Sequence, residues 1–219
     1  MNLCVKAGAR GSPLSQKQMW EVLEALKEFH PEVSFDPVWI TTTGDQDRTT
    51  SLRYMENSNF FTKEIDERQL AGAFRISIHS AKDLPIPLAF GLEIVALTKG
   101  LDPSDSLVLI EGKEPKKIAT SSLRREAAIR KLYPEVEIVD IRGNIDERIA
   151  QLQEGKVDGV VVAECALLRL GLNGLYRKKL DAPVARYQGQ LAVIARVEDE
   201  EMARLFSCLD TRACGSRKN

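Results

Sequence analysis

Short apolar runs alternate with longer amphipathic stretches along almost the whole chain. Leu3–Ala7 and Val33–Thr41 predict strands, the second by alternation of apolar and polar positions. Between them Pro13–Phe29 predicts a helix. Ser12 stands as its N-cap, Pro13 takes the first helical position, and Leu14, Met19, Trp20, Leu23 and Leu26 are available for a buried stripe. A helix over Phe60–Ala71 precedes a strand over Phe74–His79. Further strands are expected over Leu92–Leu97, Leu107–Ile110, Lys117–Thr120, Val136–Ile141, Val157–Ala163 and Leu191–Val197. Helices are expected over Leu123–Leu132, Ile145–Gln153 and Glu200–Leu209. Strands alternating with helices place the chain in the α/β class with mostly parallel sheets. No low-complexity segment and no internal repeat is detectable.

A chain of 219 residues holds one large domain or two compact ones. Pro85-Ile86-Pro87, Gly100–Pro103 and Asp181–Gly189 punctuate it. Read as boundaries, they make residues 98–186 a domain inserted into a discontinuous first domain of residues 1–97 plus 187–219. Such punctuation also marks ordinary loops.

Composition narrows the partners. Lys+Arg 31 against Asp+Glu 32 gives a net charge of −1, so bulk charge offers no reason to expect nucleic acid or an anionic membrane. Anion recognition has to come from local arginine clusters. The first residues carry no basic stretch followed by a long apolar run, and no segment approaches the about 20 apolar residues of a membrane helix. The four cysteines lack CxxC spacing, and two histidines leave little for a metal site. Cys4 and Cys165 sit among apolar neighbours and read as core thiols. A cytoplasmic, monomeric protein without a metal is the expectation.

In an open α/β sheet, ligands gather beyond the carboxyl ends of the strands, where helix N-termini attract anions. Three such junctions are rich in suitable groups. Thr120-Ser121-Ser122-Leu123-Arg124-Arg125 offers hydroxyls, free backbone N–H groups and two guanidinium forks able to take a carboxylate bidentately. It also reads as a capped helix with solvated arginines, although two cations at a helix N-terminus oppose its dipole. Ile141-Arg142-Gly143-Asn144, with Arg148 in the next helix, offers close backbone approach at Gly143 and a cap at Asn144. The same residues suit an ordinary turn, with Arg148 paired to a helix acid. His79-Ser80-Ala81-Lys82-Asp83-Leu84-Pro85 sets a cation and a carboxylate side by side, for proton handling or for a plain loop salt bridge. His79 reads as a strand end with locally satisfied hydrogen bonds.

The succession of Ala9-Arg10-Gly11-Ser12-Pro13-Leu14, Thr43-Gly44-Asp45, Phe61-Thr62-Lys63-Glu64, His79 to Pro85, Asp102-Pro103-Ser104-Asp105, Thr120 to Arg125 and Arg142-Gly143-Asn144 is similar to porphobilinogen deaminases. Leu168-Arg169-Leu170-Gly171-Leu172 and Gln188-Gly189 continue the likeness, which runs to about residue 197. The resemblance implies two periplasmic-binding-protein-like domains flanking a ligand cleft. It also implies a covalent dipyrromethane cofactor held by a cysteine of a third domain. Four porphobilinogen molecules would be joined with release of ammonia to give linear hydroxymethylbilane. Pyrrole acetates and propionates call for cations. Arg10, Arg124, Arg125, Arg142 and Arg148 match the family's binding arginines, with Ser12, Lys82, Thr120, Ser122, Gly143, Asn144 and Gln188 in support. Asp83 matches its catalytic aspartate, a fixed charge able to stabilise the azafulvene cation left by ammonia.

Two departures accompany the likeness. Tyr54-Met55-Glu56-Asn57-Ser58-Asn59 replaces the family's Gly- and Lys-rich lid, with no lysine at Tyr54 or Ser58. Beyond Glu200–Leu209 the expectation is that the usual cysteine-bearing domain is absent or vestigial. Cys214 stands in the tail either as a substitute anchor, its thiolate favoured by Arg212 and Arg217, or as an incidental cysteine. A non-catalytic oligopyrrole-binding protein and a generic anion-binding α/β protein are the competing readings.

Overall fold

The computed structural model describes residues 3–55 and 58–212. In chain order, the first elements are β1 (Leu3–Arg10), α1 (Pro13–Lys27), β2 (Val33–Ile40), α2 (Thr43–Gln46), α3 (Lys63–Leu70), β3 (Ile76–Ser80) and β4 (Leu92–Leu97). Then come β5 (Asp105–Leu109), β6 (Lys117–Ala119), α4 (Leu123–Leu132), β7 (Glu137–Val139), α5 (Ile145–Gln153) and β8 (Gly159–Ala163). The last are α6 (Glu164–Leu170), β9 (Arg177–Lys179), β10 (Leu191–Arg196) and α7 (Glu200–Phe206). The bounds of β4, α4 and α5 coincide with those expected from the pattern; α6, α2 and β9 were not expected. No helix among the described residues is long and apolar enough to cross a membrane.

The chain divides into two compact units. One comprises Met1–Gln46, Asn57–Leu101 and Gln190–Asn219; the other comprises Asp47–Glu56 and Asp102–Gly189. The stretch from Asp47, which the sequence reading leaves inside the first domain, therefore belongs with the second unit.

The first unit is built on a five-stranded sheet of order β2-β1-β3-β10-β4. β1 pairs in parallel with β2 and β3, while β10 runs antiparallel to both β3 and β4. Four strands thus point one way and β10 alone is reversed. Helices cover both faces. Met19, Val22, Leu23 and Leu26 of α1 pack with Val5, Ala7, Ile76, Ile78 and Val193, joined by Met202 and Phe206 of α7. Ile65 of α3 packs with Ile40 and Phe74. The buried Gln69 amide of α3 donates to the Arg75 carbonyl at 3.0 Å and the Ile194 carbonyl at 2.9 Å, and accepts from the Ser77 hydroxyl at 2.7 Å. A buried polar side chain survives because every group finds a partner.

The second unit repeats the plan with order β7-β6-β8-β5-β9. Here β5 is the reversed strand, antiparallel to β8 and β9, while β6 is parallel to β7 and β8. Side chains of β5 and β8 alternate between two cores. Val108, Val160 and Val162 join Ile149, Leu152 and Leu167 on one face, and Leu107, Val161 and Leu180 join Ile129 on the other. Burial on both faces explains why these strands read as unbroken apolar runs. Cys165 is buried, but Cys4 is exposed, because it occupies an outward position of β1 next to the buried Val5. The expectation of a core thiol fails there.

Asp47 opens a strap onto this unit. Its carboxylate accepts from Thr49 N at 2.8 Å and Thr50 N at 2.9 Å. Arg48 pairs with Glu147 at 2.7 Å, and Arg53 with Glu126 at 2.7 Å. Arg142 Nη2 donates to the Asp47 carbonyl. Glu56 and Asn57 of the lid stretch lie outside the described residues.

Gly8 in β1 leaves no room for a larger residue: a Cβ there would sit 2.4 Å from the Phe74 ring. Overpacking of this kind costs about 1–3 kcal/mol. Gly8→Ala is therefore expected to lower the urea midpoint without changing the slope, and an unchanged midpoint would contradict the packing described here.

Candidate functional site

The sequence-predicted residues fall at the carboxyl ends of strands in each unit. In the first, Arg10 ends β1, Ser12 caps α1 by accepting from Ser15 N at 3.3 Å, and Asp83 ends a 3-10 turn that follows β3. Arg10, Ser12, Phe61, His79, Ser80 and Asp83 line one pocket. Arg10 Nε donates to Asp45 at 3.1 Å, Nη2 donates to the same carboxylate, and its guanidinium carbon lies 4.4 Å from the Phe61 ring centroid. Burial alone would raise the Asp45 pKa. The hydrogen bond and charge of Arg10, with further bonds from Thr42, more than offset this and hold the carboxyl below its ordinary range. Arg10 is thereby clamped from one edge, and an aromatic face supports it.

Asp83 is exposed, and no described residue donates a hydrogen bond to its carboxylate. It lines the same pocket as Arg10. Lys82 is half-buried in the same turn. His79, by contrast, is enclosed, with Nε2 3.0 Å from the Ser77 hydroxyl. Burial, then the nearby Arg10 charge, depresses its pKa to about 4. It is a neutral structural group at physiological pH.

In the second unit the junction after β6 is organised around an acid that had been assigned no role. Asp105, on β5, is 1% exposed. Its carboxylate accepts from Arg124 Nη1 at 2.6 Å, from Arg125 Nε at 3.0 Å and Nη2 at 2.7 Å, and from Gln188 Nε2 at 2.9 Å. Burial pushes its pKa up, but the Arg125 charge and the bonds from Arg125, Arg124 and Gln188 bring it below the ordinary value. Arg125 Nη1 further donates to the Val161 carbonyl at 3.3 Å, and Arg124 Nη1 to the Pro183 carbonyl at 2.5 Å. Thr120 is buried and its hydroxyl accepts from Ser122 N at 3.3 Å. Ser122 occupies the N-cap of α4 without a side-chain capping bond. Ser121 is bound to the neighbouring loop, donating to Asp140 and accepting from Ile141 N at 3.0 Å.

The loop after β7 is largely self-satisfied. Asn144 and Glu147 form a reciprocal capping box, at 2.9 Å and 2.8 Å, so two N–H groups of the α5 N-terminus already have partners. Gly143 has φ of 102°, and a Cβ there would lie 2.7 Å from Glu147 Oε2; the glycine is required by the cap. Arg148 Nε returns to the Gly143 carbonyl at 2.8 Å.

Five residues have places that the sequence does not announce. Asp45 and Asp105 were quoted only as parts of motifs, since nothing in a lone acid announces which cation it will hold. Phe61 gave no sign of its place under Arg10. Arg48 and Arg53 lie in the strap before the altered lid, where the sequence offers no motif to single them out. Cys214 lies outside the described residues. Cys208 is exposed, and burial of its sulfur raises the thiol pKa.

Residues 5–204 match the family model described as porphobilinogen deaminase, dipyromethane cofactor binding domain. The chain belongs to the porphobilinogen deaminase family. It is 37% identical to the porphobilinogen deaminase of Roseiflexus sp. (strain RS-1), the match covering 94% of this chain and 71% of the relative. It is also 37% identical to the probable porphobilinogen deaminase of Chlamydia pneumoniae, covering 93% of this chain and 88% of that one. Among solved structures, the BenM effector binding domain with its effector benzoate aligns with a TM-score of 0.54 at 10% identity, over 95% of this chain and 91% of that one. At such identity the last comparison speaks only to a shared fold.

The depressed His79 pKa gives a signed expectation. Between about 4 and the ordinary value near 6.5, the native state binds fewer protons than the unfolded chain, so this group's contribution to stability is full above that window and declines as pH falls through it. In NMR titrations the His79 ring should remain neutral down to about pH 5; a midpoint near 6.5 would show that it is not enclosed as described.

Proposed function

We infer that this chain is a transferase of tetrapyrrole biosynthesis that joins porphobilinogen units into linear hydroxymethylbilane with release of ammonia. Family membership supports the reaction. The observation that carries the assignment of roles is the open Asp83 carboxylate sharing a pocket with Arg10. Departure of ammonia from porphobilinogen leaves a positive charge on the pyrrole methylene system. A carboxylate that spends nothing on protein donors stabilises that charge and can accept the pyrrole N–H. It also stands ready to carry the proton released when the new carbon–carbon bond restores aromaticity.

The residues present fit the dipyrromethane cofactor implied by the family model. Its acetate and propionate groups need cationic donors with unspent N–H groups. Arg10 keeps Nη1, and Arg124 keeps Nε and Nη2, outside the hydrogen bonds that bind each to its carboxylate. Ser122 keeps its hydroxyl. When bound, the group supplies the pyrrole terminus to which further units are added. In this reading Ser12, Lys82, Thr120, Arg142, Gly143, Asn144, Arg148 and Gln188 shape and charge the surroundings of those donors. We take the protein to act as a monomer in the cytoplasm.

Asp83→Asn keeps the size of the side chain and deletes the charge. Bilane formation should fall at least about 100-fold, in the range of a lost acid–base group, while circular dichroism and thermal midpoint stay close to those of the parent. Near-normal turnover would remove Asp83 from the mechanism. Intact-mass measurement of the purified protein should also show a dipyrromethane adduct, with peptide mapping to the anchoring cysteine. A protein that binds porphobilinogen, carries no adduct and makes no bilane would be a binding protein instead.

A further inference from the structure

The helical turn that carries Asp45 is too short to stand by itself. α2 spans only Thr43–Gln46, and a single turn has few hydrogen bonds of its own to hold it. The Asp45 and Gln46 N–H groups donate to the Thr42 carbonyl at 3.0 Å and 3.2 Å, whereas those of Thr43 and Gly44 find partners outside the turn. Both partners come from the stretch that leads into α3. Gly44 N donates to the Phe60 carbonyl at 3.0 Å. Thr43 N donates to Glu64 Oε1 at 2.9 Å, and the Thr43 hydroxyl donates to the same oxygen. Burial works against the Glu64 charge, but the Thr43 hydroxyl, the Glu64 N–H and the Thr43 N–H outweigh it and hold the carboxyl below its ordinary pKa. Glu64 Oε2 is buried and has no hydrogen-bond partner among the described residues. Packing reinforces the contact: a Cβ on Gly44 would overlap the Phe61 ring and lie 2.8 Å from the Phe60 carbonyl oxygen. The same ring supports the Arg10 guanidinium, and the same turn presents the acid that clamps it.

We propose that Glu64 is a positioning residue for Arg10: one oxygen of its carboxylate closes the open end of α2, and that turn in consequence holds Asp45 against the Arg10 guanidinium. The ligand that Arg10 takes is the one given by the transferase reading above, on which this role rests. Glu64 is not among the residues lining the pocket; it acts through its bonds to Thr43, which stands two residues before Asp45. Without them α2 frays from its N-terminus, Asp45 retreats, and the guanidinium loses the edge contact that fixes its plane for a ligand carboxylate. What the turn needs is an oxygen acceptor at one place rather than a negative charge, since only Oε1 is used. Glutamine can present its amide oxygen there at the same chain length, and its nitrogen replaces an Oε2 that has no donor to lose. Aspartate keeps the charge but falls one methylene short. A purely electrostatic role near Arg10 would rank the two the other way.

The test uses the full chain with Glu64→Ala, Glu64→Gln and Glu64→Asp. Glu64→Ala should raise KM for porphobilinogen about tenfold, the worth of one to two hydrogen bonds. Its kcat should stay within about threefold, because a pyrrole carboxylate away from the reacting methylene is held alike in ground and transition states. Glu64→Gln should remain within about threefold of the parent in KM, and Glu64→Asp should resemble Glu64→Ala. Adding Glu64→Ala to Asp45→Asn should raise KM no further than Asp45→Asn alone, because both act through one clamp. A readout independent of turnover separates this role from the transferase reading. The Arg10 Nε–H signal should exchange slowly with solvent in the parent and in Glu64→Gln, and fast in Glu64→Ala and Glu64→Asp. If Glu64→Ala does not fold, the comparison of Glu64→Gln with Glu64→Asp decides in its place. A lowered thermal midpoint with KM and exchange unaltered makes Glu64 a structural residue only and overturns the proposal, as does a Glu64→Asp variant closer to the parent than Glu64→Gln. A parent protein that makes no bilane, but whose Arg10 signal loses protection in Glu64→Ala, defeats the transferase reading and leaves the positioning role standing; equal exchange in the two proteins defeats the positioning role.

Discussion

Guanidinium groups gathered at strand ends repel one another and would drive the loops apart, so the fold seats an ionised carboxylate against them before any ligand arrives. Asp45 does this for Arg10, and Asp105 for Arg124 and Arg125. Each acid is partly or wholly withdrawn from water, which disfavours its charge, yet each is held ionised by the cations it serves. Two charges brought out of water together are tolerable only with good geometry and further hydrogen bonds; Thr42 supplies them to Asp45 and Gln188 to Asp105. Without this internal neutralisation the arginines would be free to swing, and ligand carboxylates would have to order them at the moment of binding.

The repeated sheet plan bears on why one open acid suffices. The third strand in each order, β3 or β8, ends next to an acid-bearing segment. After β3 that acid is Asp83, exposed and without a donor from the described residues. After β8 it is Glu164, 3% exposed, gripped by Arg177 at 2.8 Å and 3.0 Å and by the Ser106 hydroxyl at 2.6 Å. Equivalent places in two similar halves therefore carry opposite assignments: one carboxylate is kept available, and the other is consumed by folding. The difference lies in Arg177, which the first half does not reproduce beside Asp83.

Much of the architecture was visible in the residues because local signals agreed with the tertiary context. The bounds of α4 and α5 coincide with expectation, since Asn144 makes the capping box its type favours and Leu132 is followed closely by Pro134. β9 was invisible because Arg177-Lys178-Lys179 carries no apolar position; it is an edge strand stabilised by pairing with β5 and by the Glu164–Arg177 bond. α6 was overlooked because Cys165-Ala166-Leu167 continues the apolar run of β8, and buried strand and buried helix look alike over so few residues. The repeat was undetectable because the two halves share topology rather than side chains. Asp83 is legible as strand-end chemistry, Ser12 as a helix cap and Arg10 through the family likeness, and the three line one pocket. The roles of Asp45 and Asp105 were not legible, since each depends on partners 35 and about 20 positions away.

Strand order carries a consequence for biosynthesis. β10 lies between β3 and β4 in the first sheet, although more than ninety residues separate it from β4 in the chain. As the polypeptide leaves the ribosome, β1 to β4 emerge early, yet β3 and β4 have no common neighbour until Leu191–Arg196 has been translated. The second sheet, whose five strands all fall between Asp105 and Lys179, has its full complement sooner. The half bearing Asp83 must therefore wait with unpaired strand edges, while the half bearing Arg124 can already be closed, an order of events that favours assembly of the second unit before the first.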